Sequence, residues 1–317
     1  TLIIIYQYEP LECYWTMSLR LHLLGVQASL WTEFCEKPED VDYLLYPRLG
    51  AVAETLWSFP IAKRWGRFLD TLDDYLERWK LKGIHPSMAI YHVQHEVTPS
   101  FGDLKITLNC IHPEVEIRYT TDGSEPHEYA KLYRKPWTID QSMMIKCAAF
   151  IKGKQVGQTL EIPVRMNGIT GKNMLRSTSV EKRLVNGVRG SLKNTDGEWA
   201  TWTKNDSIAL TFDVGIRKRM GNVTLGCLND FGWAIHKPRK VEVWLSDNDM
   251  HYQKVAEKRF VQDEIFREGR FVDVISLDFE GVGRYVRIVL NGAGKCSEHH
   301  VRPGMEAQIC LDEVSIE

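Results

Sequence analysis

The hydrophobic period of this chain changes once, near residue 97, and the change dictates which kinds of domain can lie on either side. Before it, apolar residues recur at three-four spacing. Val41, Leu44, Leu45, Leu49, Val52, Ala53, Leu56 and Trp57 make one stripe, and Trp65, Phe68, Leu69, Leu72, Leu76 and Trp79 make a second. Spacing of this kind places each set on one face of a helix. After residue 97, apolar and polar residues alternate in short runs: Lys105 to Cys110, Glu114 to Thr120, Met143 to Phe150 and Gln158 to Val164. These are half-buried strands with turns between them. An α/β portion followed by all-β units is the architecture that fits.

The helical portion has clear punctuation. Pro38 with Glu39 and Asp40 predicts a helix start, because proline at the first position loses no needed donor and acids favour the positive end of the dipole. Pro47 lies inside that pattern and predicts a kink. A second helix is expected from about Lys63 to Leu81, closed by the basic turn Lys80-Leu81-Lys82 and a Gly83 cap. Ahead of both, the β-branched run from Leu2 to Pro10 predicts a strand. Leu24 to Glu33 predicts a second, buried strand whose end presents Trp31 and Glu33 side by side. In a parallel α/β fold, that end of a strand is where ligands bind. Leu11 to Leu23 has no clean periodicity. Two amphipathic helices and one or two strands cannot cover these apolar faces among themselves, so the first portion reads as an incomplete domain. Thr1-Leu2-Ile3-Ile4-Ile5 has neither a basic n-region nor a small-residue cleavage site, and the chain reads as a piece of a longer polypeptide.

A His-rich linker is expected from about Ser87 to Val97. The strands after it, with a turn at Thr121 to Pro126, suggest a small β-sandwich. From about Met166 onward, Ser207 to Val214, Lys240 to Ser246, Tyr285 to Leu290 and Gln308 to Ile316 are the clearest strands. Long polar loops separate them, which fits a jelly roll with binding carried on its loops. The expected domains are therefore 1–88, 89–165 and 166–317. A formal charge of -2 gives no general affinity for nucleic acid, and no apolar run reaches the length of a membrane span. Seven cysteines show no CxxC spacing and read as buried free thiols. Cys110 and Cys147 fall in two strand-like runs of one sandwich that place them to face each other, while the odd total argues against a full disulfide framework.

Three stretches carry resemblances. Tyr6 to Pro10, Gly25-Val26-Gln27-Ala28-Ser29-Leu30-Trp31-Thr32-Glu33, Tyr46 to Leu49 and Ala53 to Ser58 resemble the C-terminal end of the (β/α)8 barrel of family 20 glycoside hydrolases, the β-N-acetylhexosaminidases. Ile117 to Pro126 resembles the immunoglobulin-like domain often fused behind that barrel. Leu184 to Ser191, Trp199, Phe212 to Gly215, Trp233, Pro238, Tyr285 to Arg287 and Asp312 to Val314 resemble discoidin-like, galactose-binding-like carbohydrate-binding modules. The fold implied is multidomain: a partial barrel end, an Ig-like β-sandwich spacer and a discoidin-like β jelly roll.

The barrel resemblance implies substrate-assisted hydrolysis of terminal N-acetylhexosamines, in which the substrate's acetamide oxygen attacks the anomeric carbon. The family's adjacent Asp-Glu pair and its acetamide-binding Tyr belong to earlier strands, so no residue here is assigned as catalytic and the chain alone is expected to be inactive. Trp31 is implied as a wall of the sugar pocket and Glu33 as an acceptor for sugar hydroxyls. The residues themselves also admit a core indole at position 31 and a helix-capping acid at 33. Three adjacent acid pairs, Glu39-Asp40, Asp73-Asp74 and Asp263-Glu264, read as solvated faces rather than replacements.

In the third domain the sugar-site candidates are Trp199, Trp202, Asn229, Trp233, His236, His299, His300 and Arg302, since rings stack on pyranose faces and His, Arg and Asn direct hydrogen bonds. Trp199 and Trp233 equally suit a sandwich core. His299 and His300 are expected at the surface, with no third metal ligand at sensible spacing. The module resemblance also implies one structural Ca²⁺ on oxygen ligands, with Asn186, Ser191, Asp196 and Glu313 in the matching places. The usual Asp stands here as Asn186, which removes a charge. No organic cofactor is expected. The implied partners are the rest of the barrel and N-acetylhexosamine-terminated or galactose-containing glycans, in a periplasmic, cell-surface or secreted setting. The other function class is a standalone glycan-binding protein with a decayed barrel remnant.

Overall fold

The second apolar stripe becomes the longest helix, and its ends follow from its sequence. We describe a computed structural model covering residues 2–10, 18, 22–33, 35–172, 174–176, 181–203 and 207–317; Cys13 and most of the undecided segment before Leu23 lie outside the described residues. The helices are α1 (Leu2–Gln7), α2 (Pro38–Leu45), α3 (Arg48–Trp57) and α4 (Trp65–Leu81). α4 ends as its glycine predicts. Gly83 takes a φ of 76°, and the Gly83 and Ile84 N–H groups bond to the Lys80 and Trp79 carbonyls at 3.0 Å each, so the last-turn acceptors are satisfied.

Three expectations for this portion are corrected. Pro47 separates two helices instead of kinking one, because it lacks the N–H that would continue the ladder from α2. Leu2 to Gln7 is helical, and residues 23–32 have no regular secondary structure, so neither expected strand forms. A strand needs a hydrogen-bonding neighbour. Among the described residues up to Tyr91 there is no strand to supply one, whereas a helix pairs its own backbone.

The chain divides into two compact units: Thr1–Val93 with Cys110–Ile117 and Ala148–Thr159, and Gln94–Asn109 with Arg118–Cys147 and Leu160–Glu317. In the first, Tyr6 packs on Phe68 and Trp65 at ring-centroid distances of 4.8 and 5.2 Å, over buried Ala51, Leu69, Leu72 and Leu76. The acid pairs of this unit serve structure. Asp40 accepts the Glu36 and Lys37 N–H groups at the start of α2, and Asp73 accepts the Tyr91 hydroxyl and faces His112 Nε2 at 3.2 Å.

The β elements begin inside the expected linker, at β1 (Gln94–Ser100). They continue as β2 (Asp103–Asn109), β3 (Glu116–Thr120), β4 (Lys131–Leu132), β5 (Trp137–Ile139), β6 (Met143–Ile151) and β7 (Lys154–Val164). β1, β2 and β5 form one sheet, and β4, β3, β6 and β7 another. The Thr121 to Pro126 turn is held by Asp122 Oδ1, which accepts the Ser124 N–H at 3.0 Å.

The jelly-roll portion holds β8 (Met174–Leu175), β9 (Ala200–Trp202), β10 (Ile208–Asp230), β11 (Lys240–Ser246), β12 (Gln253–Arg259), α5 (Gln262–Ile265), β13 (Arg270–Asn291) and β14 (Ile309–Ile316). Two expected strands prove to be halves of longer ones. β10 and β13 run antiparallel from Ile208↔Leu290 to Asp230↔Arg270, with the register shifting between Asp213 and Lys218. Gly215, at φ 91°, turns the backbone there, and Arg284 holds Asp213 in a bidentate pair at 2.9 and 2.8 Å. The bend lets the hydrogen-bonded order β12-β11-β13-β10-β14-β9 wrap one core, in which Phe212, Leu225, Val243, Ile288 and Val314 are buried.

Candidate glycan-binding site

The exposed end of the jelly roll is built where β10 stops. Asp230 Oδ1 accepts the Trp233 N–H at 3.3 Å, its Oδ2 lies 2.6 Å from Arg270 Nε, and the chain makes one 3₁₀ turn, Phe231–Trp233. Ala234 then takes a left-handed φ of 54° and returns the chain to pair Ile235 with Asp230. This turn lifts Trp233 outward, leaving it 53% exposed. The Arg302 guanidinium lies over that indole at 4.9 Å and is anchored by an Nε–H bond to Gly232 O at 2.7 Å. An exposed indole beside a fixed cation offers a stacking face and directional donors, the chemistry that a pyranose ring requires.

The other candidates divide by burial. His299 is exposed next to this platform in sequence, whereas Asn229, His236 and His300 are buried. The expectation that His300 reaches the surface is therefore corrected. Its Nδ1 accepts the Arg302 N–H at 2.9 Å, which turns the ring inward. Burial pushes the His236 pKa down to about 4, with the neighbouring His300 adding to the effect, and burial lowers His300 in the same direction. Trp199 is core. It is 1% exposed, its Nε1–H donates to Ser191 O at 3.0 Å, and it lies so close over Gly190 that a side chain there would overlap the indole. Trp202 packs against the main core half-buried.

The expected calcium ligands do not converge as ligands. Glu313 Oε2 accepts the Gly187 N–H at 3.0 Å, and Oε1 accepts from Asn167 Nδ2 at 3.1 Å and Thr170 Oγ1 at 3.4 Å. Asn186 donates to Glu198 Oε2 at 2.7 Å and accepts the Val188 N–H at 3.0 Å. Ser191 is exposed, and its N–H bonds to Asp196 Oδ2 at 2.6 Å. Every carboxylate and amide oxygen of this set faces a donor, and a hard cation requires the same lone pairs. The residues present do not fit Ca²⁺.

Two features escaped the sequence reading. Asp312-Glu313 is a further adjacent acid pair, but it is fully enclosed, with Asp312 tied to Arg189 at 3.1 Å. The other is a different grouping of ligand atoms from the neighbouring pair His299 and His300, and it leaves out His299. His236, Cys296 and His300 bring their ligand atoms within 4.8 Å of one another. The signal was the four-residue spacing of Cys296 and His300. A separate cavity of about 820 Å³, lined by His95, Lys105, Arg183 and Glu198 among others, has no Trp, Tyr or Phe among the described residues that line it.

Trp31 and Glu33 sit in the first unit, both exposed, Trp31 at 77%. Neither alternative role is filled: the indole is not core, and the acid that caps α2 is Asp40.

Residues 2–60 match the family described as glycosyl hydrolase family 20, catalytic domain, and residues 100–161 match the chitobiase/beta-hexosaminidase C-terminal domain. Residues 2–60 are therefore similar to a segment of that catalytic domain. A beta-hexosaminidase of Porphyromonas gingivalis is 31% identical over 169 residues, covering 50% of this chain and 21% of that protein. A beta-hexosaminidase of Vibrio furnissii is 45% identical over 49 residues, 15% of this chain and 8% of that protein. The matched stretches thus span about a fifth or less of these relatives. Among solved structures, the C-terminal domain of a chitobiase from Bacteroides fragilis is similar at 12% identity and a TM-score of 0.25, covering 43% of this chain and 78% of that one. A CBM32 module from Clostridium perfringens, solved with GalNAc-β-1,3-galactose, is similar at 15% identity and a TM-score of 0.27, covering 43% and 81%. The family 20 segment contains Trp31 and Glu33. Among the described residues no helix is long and apolar enough to cross a membrane.

Proposed function

We propose that this chain is the C-terminal part of a β-N-acetylhexosaminidase that acts outside the cytoplasm. Trp31 and Glu33 supply one wall of its sugar pocket, and Trp233 with Arg302 binds glycan on the jelly roll. The carrying observation is the family 20 match over residues 2–60, which contains the Trp31-Thr32-Glu33 stretch. The exposed Leu24, Trp31, Trp57, Phe59 and Ile61 support it, because an apolar surface of this kind belongs against the rest of a barrel. The same exposure disfavours a standalone binding protein with a decayed remnant.

In this reading the substrate's acetamide oxygen attacks the anomeric carbon, an Asp on an earlier barrel strand orients it, and the adjacent Glu protonates the leaving oxygen. Trp31 presents an apolar face to the ring. Glu33 accepts hydrogen bonds from sugar hydroxyls and so rejects substrates that lack them. The polypeptide of 317 residues is expected to show no turnover of a chromogenic N-acetylglucosaminide, and a clear enzyme-dependent rate overturns the assignment of catalysis to another part of the barrel. For the jelly roll, calorimetric titration with galactose and N-acetylgalactosamine is expected to show weak binding. Trp233→Ala should reduce it about tenfold, the value of one lost aromatic contact. Unchanged affinity removes Trp233 from the site.

A further inference from the structure

We propose that His236, Cys296 and His300 form a binding site for a divalent ion of the zinc class. The argument starts from which atoms must carry protons. Asn229 Nδ2 donates to Arg267 O at 2.9 Å and Gly269 O at 3.1 Å, so its Oδ1 is the acceptor facing His236. His236 Nδ1, 3.0 Å away, therefore carries the proton, and its Nε2 presents a lone pair. A ligand histidine is normally oriented in this way, with the far nitrogen donating to a fixed oxygen. That lone pair points at His300 Nε2, at 3.0 Å.

The spacing suits an ion as well as a proton. Two nitrogens on a tetrahedral Zn²⁺ lie about 3.3 Å apart and a nitrogen and a thiolate about 3.5 Å, from bond lengths near 2.0 and 2.3 Å. The nitrogens, at 3.0 Å, need to part by about 0.3 Å, and with all three atoms within 4.8 Å the sulfur needs a shift of about 1 Å. His236 is fully buried, and Cys296 and His300 are each 4% exposed, with Phe231 and Phe266 packed on the imidazoles at 4.0 and 4.9 Å. Two imidazoles and one thiolate form a borderline-soft set that selects zinc-class ions over calcium or magnesium, with water in the fourth position.

The proton balance is definite. Arg302 N–H bonds to His300 Nδ1 in this structure, so His300 donates from Nε2 to His236. On binding, the Cys296 thiol proton leaves to solvent and the His300 proton moves from Nε2 to Nδ1. A protonated Nδ1 no longer accepts the Arg302 N–H, so that hydrogen bond is given up. No electron transfer is involved.

The full chain, reduced with a phosphine and freed of metal, would be titrated with Co²⁺ and followed by absorption. The expected result is a one-to-one complex with tetrahedral d–d bands and a thiolate-to-cobalt band, displaced by Zn²⁺. Cys296→Ala should lose the thiolate band, and circular dichroism checks that this small change leaves the fold intact. His299→Ala should keep both sets of bands. Absence of the complex in the parent, persistence of the thiolate band in Cys296→Ala, or its loss in His299→Ala overturns the site.

Discussion

Glu313→Ala is expected to destabilise the jelly roll by about 3 kcal/mol, enough to lower its urea midpoint clearly and to speed hydrogen exchange of the β14 amides. The carboxylate is 4% exposed and accepts from Gly187 N–H, Asn167 Nδ2 and Thr170 Oγ1. Truncation strands the Gly187 N–H and the Thr170 hydroxyl, at about 1.5 kcal/mol each, while Asn167 Nδ2 keeps its bond to Val314 O at 3.1 Å. Glu313→Gln keeps the volume but turns an NH₂ group toward one donor, so its cost should fall between parent and alanine. A midpoint for Glu313→Ala equal to the parent would show that these bonds carry no stability. The same experiment addresses calcium: with donors on every oxygen, adding Ca²⁺ should leave the parent midpoint unchanged. A midpoint that rises with Ca²⁺ would show that the ion displaces Asn167 and Thr170 from Glu313.

Much of the architecture was legible because its signals are local. α4 fell within two residues of expectation because six apolar residues share one face and Gly83 ends the helix, and β11 ran over the expected residues because its apolar run, Val241, Val243, Trp244 and Leu245, is bounded by the polar Lys240 and Ser246. The N-terminal strands were misread for a physical reason. β-branched runs specify a strand only when a neighbour exists to pair with it, and Leu2 to Gln7 has none among the described residues. The candidate site was legible by residue type but not by orientation. Trp199, Trp233, His299 and His300 all look suited to a sugar, yet a hydrogen bond to Ser191 O places the first in the core and one from the Arg302 N–H turns the last inward. Which residue faces outward depended on loop backbone that has no sequence period. The clustering of His236 with Cys296 and His300 depended on a separation of 60 residues or more that only the folded sheet closes.

Arg189→Ala should produce a stability deficit that depends on pH: small near pH 4, and about 2 kcal/mol at pH 7. Asp312 is fully buried. Its Oδ1 meets Arg189 Nη1 at 3.1 Å and the Glu313 N–H at 2.5 Å, and its Oδ2 accepts the Gly190 N–H at 3.1 Å. Burial raises its carboxyl above the ordinary 3.8, and the Arg189 guanidinium works against that rise. A carboxyl raised in the folded state contributes stability that is fully present below its unfolded value and is lost as pH climbs through its folded value. Removing the cation moves the folded value further up and deepens that loss, so the deficit opens as pH rises through the parent's folded value, which lies above 3.8. The guanidinium is 40% exposed and screened by solvent, which holds the figure below the 3 to 5 kcal/mol typical of a fully buried broken pair. Urea midpoints of parent and variant at pH 4.5 and pH 7 decide the point. Equal deficits at both values would mean that Arg189 acts by packing its methylenes, whereas a deficit confined to the higher pH assigns it the role of counter-charge to Asp312 at the closing strand.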